Sequence, residues 1–156
     1  MKAIKIAILL TAAVISICCR SNRIAERIDI VDRNGVKQEI CSDASPYTLL
    51  YFNDIECDEC HMMQEALAES AIIANSIAKG KLRLLSVYSG EYKEEWMQTP
   101  THESWVECID EKMSILESTT YRYESFPALF LIDKRGKFLI ENGTVKEIEK
   151  YINKIK

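Results

Sequence analysis

The feature that most constrains the fold of this chain is a buried strand followed by a long helical pattern and a second buried strand. The segment YTLLYFN (47–53) is almost entirely apolar, aromatic or β-branched, which predicts a strand buried on both faces. From residue 58 to about residue 79, apolar and small residues recur at three-to-four spacing, and Gly80 follows as a helix stop. KLRLLSVYSG (81–90) predicts the second strand. Buried strands separated by a helix indicate an α/β fold.

The segments on either side predict the rest of a mixed sheet. Asn34-Gly35 lies between residues 27–32 and 36–40, and Asn-Gly favours a type I′ turn, so we expect an N-terminal β-hairpin. Near the C-terminus, PALFLID predicts a third strand and KFLIE a fourth strand that pairs with it antiparallel. TVKEIEKYINKI then predicts an amphipathic helix with Thr144 as its N-cap.

The middle of the chain is less regular. EYKEEWMQ predicts the start of a short helix and DEKMSILESTTY a further helix, while SWVECI fits either a strand or an extended connection. The predicted architecture is an α/β sandwich with a mixed central sheet, an antiparallel edge and flanking helices.

The N-terminus reads as a targeting segment and not as part of this fold. Lys2 and Lys5 precede an apolar stretch over residues 6–17, which is shorter than the roughly 20 residues a membrane-spanning helix needs. We therefore predict a signal segment over residues 1–19. A tether over residues 20–26 and one domain over residues 27–156 follow it.

The end of this stretch resembles a bacterial lipoprotein signal, in which a cysteine closes the apolar region and is lipidated. Cys18 and Cys19 are the candidates. The alternative is an uncleaved N-terminal anchor helix. Both readings predict a periplasmic domain tethered to a membrane.

The charge and the cysteine content limit the classes of function that the chain can have. The chain has 20 basic and 24 acidic residues and no basic patch, so we expect no nucleic-acid partner. Of its six cysteines, Cys18 and Cys19 fall in the signal, and four remain, namely Cys41, Cys57, Cys60 and Cys108. A bond between Cys57 and Cys60 closes so small a loop that it contributes little stability. Such a bond is more plausibly made and broken than kept.

The stretch ECDECH (56–61) places these cysteines where chemistry is favoured. Cys57 falls where the buried strand ends and the helix begins, and there the free N–H groups and the helix dipole favour an anion. A thiolate is the reactive form of cysteine, and a helix N-terminus lowers its pKa. Cys60 lies one turn later. The arrangement predicts Cys57 as nucleophile and Cys60 as the resolving thiol of a thiol–disulfide oxidoreductase.

With this motif and Phe126-Pro127 opening the strand ALFLID, residues 27–155 resemble the thioredoxin superfamily. The resemblance implies a thioredoxin-like sandwich in which Pro127 is a cis-proline facing the CxxC pair. The Phe126-Pro127 backbone then lines a groove that holds substrate. The chain looks closest to the periplasmic, membrane-anchored branch that includes the reductases of cytochrome c maturation.

That resemblance also implies partners and cofactors. The expected substrates are disulfide-containing proteins, and the expected electron source is a membrane or periplasmic donor. No cofactor beyond the redox-active disulfide and no metal is implied, and the family's commonest state is a monomer.

The chain departs from the family around the cysteines. Thioredoxins carry Trp before the nucleophile and Gly-Pro between the cysteines, where this chain has Glu56 and Asp58-Glu59. Tyr51 stands in place of the buried carboxylate that relays a proton to the resolving thiol, and Asp54 is a candidate substitute.

The acidic neighbours predict the direction of redox tuning. Glu56, Asp58 and Glu59 disfavour an adjacent thiolate, which predicts a reducing pair with a potential nearer about −270 mV than about −120 mV. His61 acts in the opposite direction, since an imidazolium four residues after Cys57 favours the thiolate.

Two other functions fit the same residues. Cys57, Cys60 and His61 could hold zinc, with Cys108 or His102 as fourth ligand. A redox-inactive lipoprotein that only binds a partner in its groove is the other alternative. For Cys41 and Cys108 the sequence leaves open buried small residues, a structural pair or a third redox thiol.

Overall fold

In the computed structural model, which describes residues 23–155, the chain forms a seven-stranded mixed sheet with helices packed against both faces. The elements in chain order are β1 (Ile30–Asp32), β2 (Lys37–Gln38), β3 (Tyr47–Asn53), α1 (Asp58–Glu69), α2 (Ala71–Ala78), β4 (Leu82–Tyr88), α3 (Lys93–Gln98), β5 (Val106–Ile109), α4 (Ser114–Glu117), β6 (Ala128–Asp133), β7 (Phe138–Glu141) and α5 (Val145–Lys154).

The strands lie in the order β2-β1-β5-β4-β3-β6-β7. Strands β3, β4 and β5 are parallel to one another, and every other neighbouring pair is antiparallel. The sheet is therefore mixed, with antiparallel pairs at both edges, and this confirms the fold class expected from the sequence.

Strand β3 shows how the core divides into two layers. Leu49 and Tyr51 pack on the side covered by α1, α2 and α5. Leu50 and Phe52 point to the opposite side, where α4 contributes Ile115. Successive side chains of a strand point to opposite faces, so a run as apolar as YTLLYFN serves both layers.

The predicted N-terminal hairpin is present, but the prediction of a type I′ turn is wrong. Asp32 pairs with Val36 across a three-residue loop, and Gly35 is the loop residue with a left-handed φ, +75°. The Asp32 carboxylate accepts hydrogen bonds from the backbone N–H groups of Asn34 and Val36, at 2.9 and 3.0 Å. This side chain stabilises a turn closed by a single left-handed glycine.

The long helix predicted from residue 58 to about residue 79 is interrupted. Ser70 is extended, with φ −73° and ψ 101°, and separates α1 from α2. Its hydroxyl accepts a hydrogen bond from Ile73 N at 3.2 Å and donates one to Glu149 on α5 at 2.6 Å. A serine that binds local backbone competes with helix continuation, and here it starts a second helix.

The helix predicted for DEKMSILESTTY shrinks to the four residues of α4. The carboxylate of Asp110 accepts hydrogen bonds from the Ser114 hydroxyl and from Ile115 N, which fixes the start of the helix. The Ser118 hydroxyl accepts from Thr120 N and turns the chain away from the helix. Local side-chain hydrogen bonds again replace helical ones.

At the C-terminus the predicted helix with Thr144 as its N-cap is confirmed, because Thr144 caps α5 in a capping box with Glu147.

The first described residues contact the sheet. Ala25 N donates a hydrogen bond to Gly136 O at 2.8 Å, and Ile24 forms a β-bridge with Lys137. The predicted domain boundary at residue 27 stays a prediction. The predicted signal over residues 1–19, with Cys18 and Cys19, lies outside the described residues. None of the helices within residues 23–155 has the length and apolar character needed to cross a membrane.

Candidate active site

Cys57 occupies the N-cap of α1, directly after the loop that follows β3. Its backbone is extended, and its sulfur accepts a hydrogen bond from Cys60 N at 3.1 Å. The Cys57 carbonyl also accepts from Cys60 N and His61 N, at 3.0 and 3.1 Å. The sulfur thus lies at the positive end of the helix dipole, where a thiolate is stabilised.

Cys57 and Cys60 form a disulfide, with their Cα atoms 5.2 Å apart. Solvent reaches them unequally, since Cys57 is half-buried while Cys60 is 1% exposed. An incoming sulfur can therefore reach Cys57, whereas Cys60 is shielded behind it. The predicted roles of nucleophile and resolving thiol require such an asymmetry, and the roles themselves stay predictions.

The main chain at Phe126, just before β6, lies beside the disulfide. Its carbonyl oxygen lies 3.9 Å from the Cys57 sulfur, and the Phe126-Pro127 peptide bond is cis. The Phe126 ring stacks on Tyr123, with ring centroids 5.3 Å apart. Of the two residues predicted to form the substrate groove, Phe126 therefore lies against the Cys57 sulfur.

Tyr51 lies next to Cys60. Its hydroxyl donates a hydrogen bond to the carbonyl of Cys60 at 2.6 Å, and its side chain is buried. Burial raises the pKa of the Tyr51 phenol above its ordinary value, so the group stays neutral and serves as a hydrogen-bond donor. Tyr51 anchors the first turn of α1 to β3.

The remaining residues singled out from the sequence surround the disulfide. Asp54 is half-buried, and its carboxylate accepts a hydrogen bond from Glu56 N at 2.8 Å, which closes the turn leading to Cys57. The other four residues predicted to tune the thiols are exposed, namely Glu56, Asp58, Glu59 and His61. Their effect on the thiols stays a prediction, as does proton transfer through Asp54.

A cavity of about 330 Å³ opens beside the buried cysteine. Its lining includes Tyr51, Asp54, Cys60 and His61 from the site, and Trp96 from α3. Asp54 thus borders the same space as Cys60.

Cys41 and Cys108 are not bonded to each other. Cys108 is fully buried in the sheet, and burial raises the pKa of its thiol to about 12. Cys41 is half-buried, and burial, followed by the charges of Asp133 and Glu39, raises its pKa as well. Both thiols are held protonated, as expected of small core residues and not of nucleophiles.

No arrangement of three or more His, Cys, Asp or Glu side chains suited to a metal ion occurs within residues 23–155. The sulfurs that the zinc alternative requires are instead bonded to each other.

Sequence reasoning missed two polar residues that hold the site end of the sheet in place. The Asn53 side chain, at the end of β3, donates to the Ser86 hydroxyl and to the Val87 carbonyl on β4, at 3.1 and 3.2 Å. Asp110, fully buried at the end of β5, caps α4. An Asn or Asp directly after a segment with strand character was the available signal for both.

The sequence matches no protein-family model, and no curated protein matches it. Similar solved structures do occur. The C-terminal domain of an uncharacterized protein from Bacteroides fragilis NCTC 9343 is 29% identical, with a TM-score of 0.78 over 86% of this chain and 97% of that chain. A thioredoxin-like protein from Bacteroides caccae ATCC 43185 is 26% identical, with a TM-score of 0.78 over 88% of this chain and 50% of that chain.

The thioredoxin domain of a thiol-disulfide oxidoreductase from Bacteroides vulgatus is 19% identical, with a TM-score of 0.68 over 86% of this chain and 96% of that chain. Together these neighbours show that the chain has a thioredoxin-like fold. The domain shares this fold with the Bacteroides vulgatus domain and carries a CxxC pair joined as a disulfide.

Proposed function

We propose that this protein is a thiol–disulfide oxidoreductase that reduces disulfides of periplasmic proteins. The observation that carries the proposal is the Cys57–Cys60 disulfide, whose accessible sulfur caps a helix and whose second sulfur is buried behind it. A purely structural bond over so short a loop contributes little stability, so a redox role explains the pair better.

The reaction balances as two successive thiol–disulfide exchanges. The Cys57 thiolate attacks a substrate disulfide, forms a mixed disulfide and releases one substrate sulfur as a thiolate. Cys60, after losing its proton, then attacks the Cys57 sulfur and releases the second substrate sulfur. The substrate gains two electrons and becomes a dithiol, while the protein returns to the Cys57–Cys60 disulfide.

The main chain at Phe126 positions the substrate. Its carbonyl lies beside the Cys57 sulfur, and a polypeptide laid across the disulfide can donate a backbone hydrogen bond to it. Pro127 has no backbone N–H group to donate. A substrate strand therefore uses the other main-chain groups beside it, such as the Phe126 carbonyl.

A dithiol donor in the membrane or the periplasm must reduce the Cys57–Cys60 disulfide before each cycle. We propose that the protein meets such a donor as a membrane-tethered monomer, anchored through Cys18 or Cys19 or through an uncleaved N-terminal helix. The domain then acts outside the cytoplasm, where proteins with disulfides occur.

Trapping the mixed disulfide tests the proposal. In a Cys60→Ala variant the second exchange cannot occur, so covalent adducts through Cys57 should accumulate in cells and disappear on treatment with a reductant. A variant that also carries Cys57→Ala is the control and should form none. Equal partner recovery by both variants, with no reducible adduct, would instead indicate a groove that binds without turnover.

A further inference from the structure

The loop that carries Phe126 to the disulfide has little backbone hydrogen bonding of its own. It spans residues 118–127, which belong to no helix and no strand, and we call it the groove loop. Within residues 23–155, Ser118 N is the one backbone N–H group of this loop that donates to a backbone carbonyl, that of Ile115. A segment with few such bonds opens easily unless other contacts hold it, so the position of the groove loop depends on contacts with side chains.

Several of these contacts come from residues 23–26, which the sequence predicts to be part of a tether. We call these residues the N-terminal clasp. One carboxylate oxygen of Glu26 accepts hydrogen bonds from the Ser118 and Thr120 hydroxyls, at 2.9 and 3.2 Å. The backbone carbonyl of Glu26 accepts another from the Tyr121 hydroxyl at 2.6 Å. The clasp therefore bonds to the first residues of the groove loop, from which more than 90 residues of chain separate it.

Arg23 joins the clasp to the sheet as well as to the groove loop. Its guanidinium donates a hydrogen bond to the Thr120 carbonyl at 2.8 Å, and it forms an ion pair with Glu141 on β7. The same guanidinium lies over the Phe138 ring, 5.5 Å from the ring centroid. Since Glu141 and Phe138 both belong to β7, Arg23 connects the start of the groove loop to a strand.

The end of the groove loop lies at the disulfide. Tyr121, whose hydroxyl bonds to the clasp, is buried and packs its ring edge-on against Phe52 on β3. A few residues later the Phe126 carbonyl lies 3.9 Å from the Cys57 sulfur, and the Phe126 ring stacks on Tyr123. The clasp thus fixes the start of a short loop whose end faces Cys57.

We propose that the N-terminal clasp is a positioning element of the site, which holds the groove loop so that the Phe126 carbonyl can accept a hydrogen bond from a substrate polypeptide. This inference rests on the proposed function, and it adds residues that contact neither cysteine. Without the clasp the groove loop samples other positions. The apparent affinity for a polypeptide then falls in proportion to the fraction of molecules whose loop is in place.

The test compares two substrates of the reduced full-length protein. One is a peptide closed by a single intramolecular disulfide, which can bind the main chain at Phe126. The other is 2-hydroxyethyl disulfide, which has no backbone N–H group and reports the reactivity of Cys57. In Arg23→Ala with Glu26→Ala, the ratio of the second-order rate constants, peptide over 2-hydroxyethyl disulfide, should fall about fivefold, the effect of about one net hydrogen bond. A change in the reactivity of Cys57 acts on both rate constants and leaves the ratio as it was.

Single variants assign the effect to the bonds of the clasp. Glu26→Ala alone should also lower the ratio, and it replaces the double variant if that one fails to fold. Glu26→Gln keeps an oxygen that can accept both hydroxyl hydrogen bonds, so its ratio should stay close to that of the wild type. Glu103→Ala removes an exposed carboxylate outside the clasp and the groove loop, and it is the matched control that should keep the wild-type ratio.

The outcomes separate this inference from the function on which it rests. A ratio that Glu26→Ala and the double variant both retain would overturn the positioning role and leave the oxidoreductase intact. An equal loss in Glu26→Gln and Glu26→Ala would overturn it too, because only the alanine variant lacks the acceptor oxygen. A wild-type protein that reduces neither substrate would overturn the proposed function as well.

Discussion

The two cysteines of the site differ in surroundings as well as in exposure. Cys57 caps α1 and faces the Phe126 carbonyl, while Cys60 lies above the Tyr51 hydroxyl and beside a cavity. Under the proposed function, these surroundings place Cys57 for encounter with a substrate and Cys60 for attack on Cys57. The same spacing in a loop would not separate these roles.

Neutralising the carboxylates next to Cys57 should make the pair less reducing. Glu56→Gln with Asp58→Asn removes two charges that disfavour a thiolate, so the dithiol form gains stability and the reduction potential rises. An exposed charge several ångströms away acts with about 0.5 kcal/mol, which corresponds to about 10 mV for each substitution. Redox titration of the variant beside the wild type measures the change.

Asp43→Asn with Glu69→Gln is the control for that titration, since it removes the same charge away from Cys57 and should leave the potential unchanged. A shift of the site variant to a more negative potential would contradict the electrostatic argument.

The helices show which features a sequence pattern does not predict. The periodicity of residues 58–79 is right for both α1 and α2, yet it misses the break at Ser70. The Ser70 hydroxyl caps α2 locally and also donates a hydrogen bond to Glu149, which lies far along the chain on α5. A pattern within one segment carries no record of a partner from another element. α5 is predicted correctly because the residues that cap it and form its apolar face all lie within the segment itself.

Ser70→Ala should destabilise the fold by about 1–2 kcal/mol, because it removes the cap of α2 and the hydrogen bond to Glu149. Denaturant unfolding of the oxidised protein measures this change. Ser104→Ala, at an exposed position, is the matched control and should stay within about 0.5 kcal/mol. Equal unfolding midpoints for the two variants would show that the break between the helices is not stabilised by Ser70.

The site itself was predictable in part. The strand before Cys57 and the helix after it are local patterns, and they place Cys57 correctly between β3 and α1. That Phe126 lies beside it came from the resemblance to a family, since 69 residues separate the two and no spacing rule joins them. Tyr51 was identified by its position, but its bond to the Cys60 carbonyl needed coordinates.

Across the whole molecule, the sheet explains where the site lies. Strands β3, β4 and β5 run parallel and end on the same side, and Cys57 follows the end of β3. Ligands of open α/β sheets bind outside the carboxyl ends of the strands, where several loops converge. The hairpin of β1 and β2 extends the sheet beyond β5. Arg33, in the hairpin loop, donates hydrogen bonds to Glu107 on β5 and to Thr99, which follows α3.

The fold should lose stability in acid. Hydrogen bonds from Lys112 and Lys37 lower the pKa of Asp29 to about 2, and backbone hydrogen bonds lower the pKa values of Asp32 and Glu147. Each folded pKa lies below its unfolded value near 4, so the stabilisation is present above pH 4 and disappears as the pH falls through the folded values. We expect the denaturant midpoint to fall steadily from about pH 5 to about pH 2.

Asp29→Asn should reduce that slope, whereas Asp43→Asn should not, because Asp43 takes part in none of the salt bridges among residues 23–155. A midpoint that stays constant or rises over this range would contradict the argument.

The most direct test of the account is the thiol–disulfide equilibrium of the full-length protein. The chain is held in glutathione or dithiothreitol buffers of graded potential, and thiol trapping followed by mass spectrometry reports Cys57 and Cys60. The account predicts one reversible two-electron transition, with a midpoint nearer about −270 mV than about −120 mV. A midpoint above about −170 mV would contradict the reductive direction. Thiols that form no bond with each other in any buffer would contradict the redox function itself.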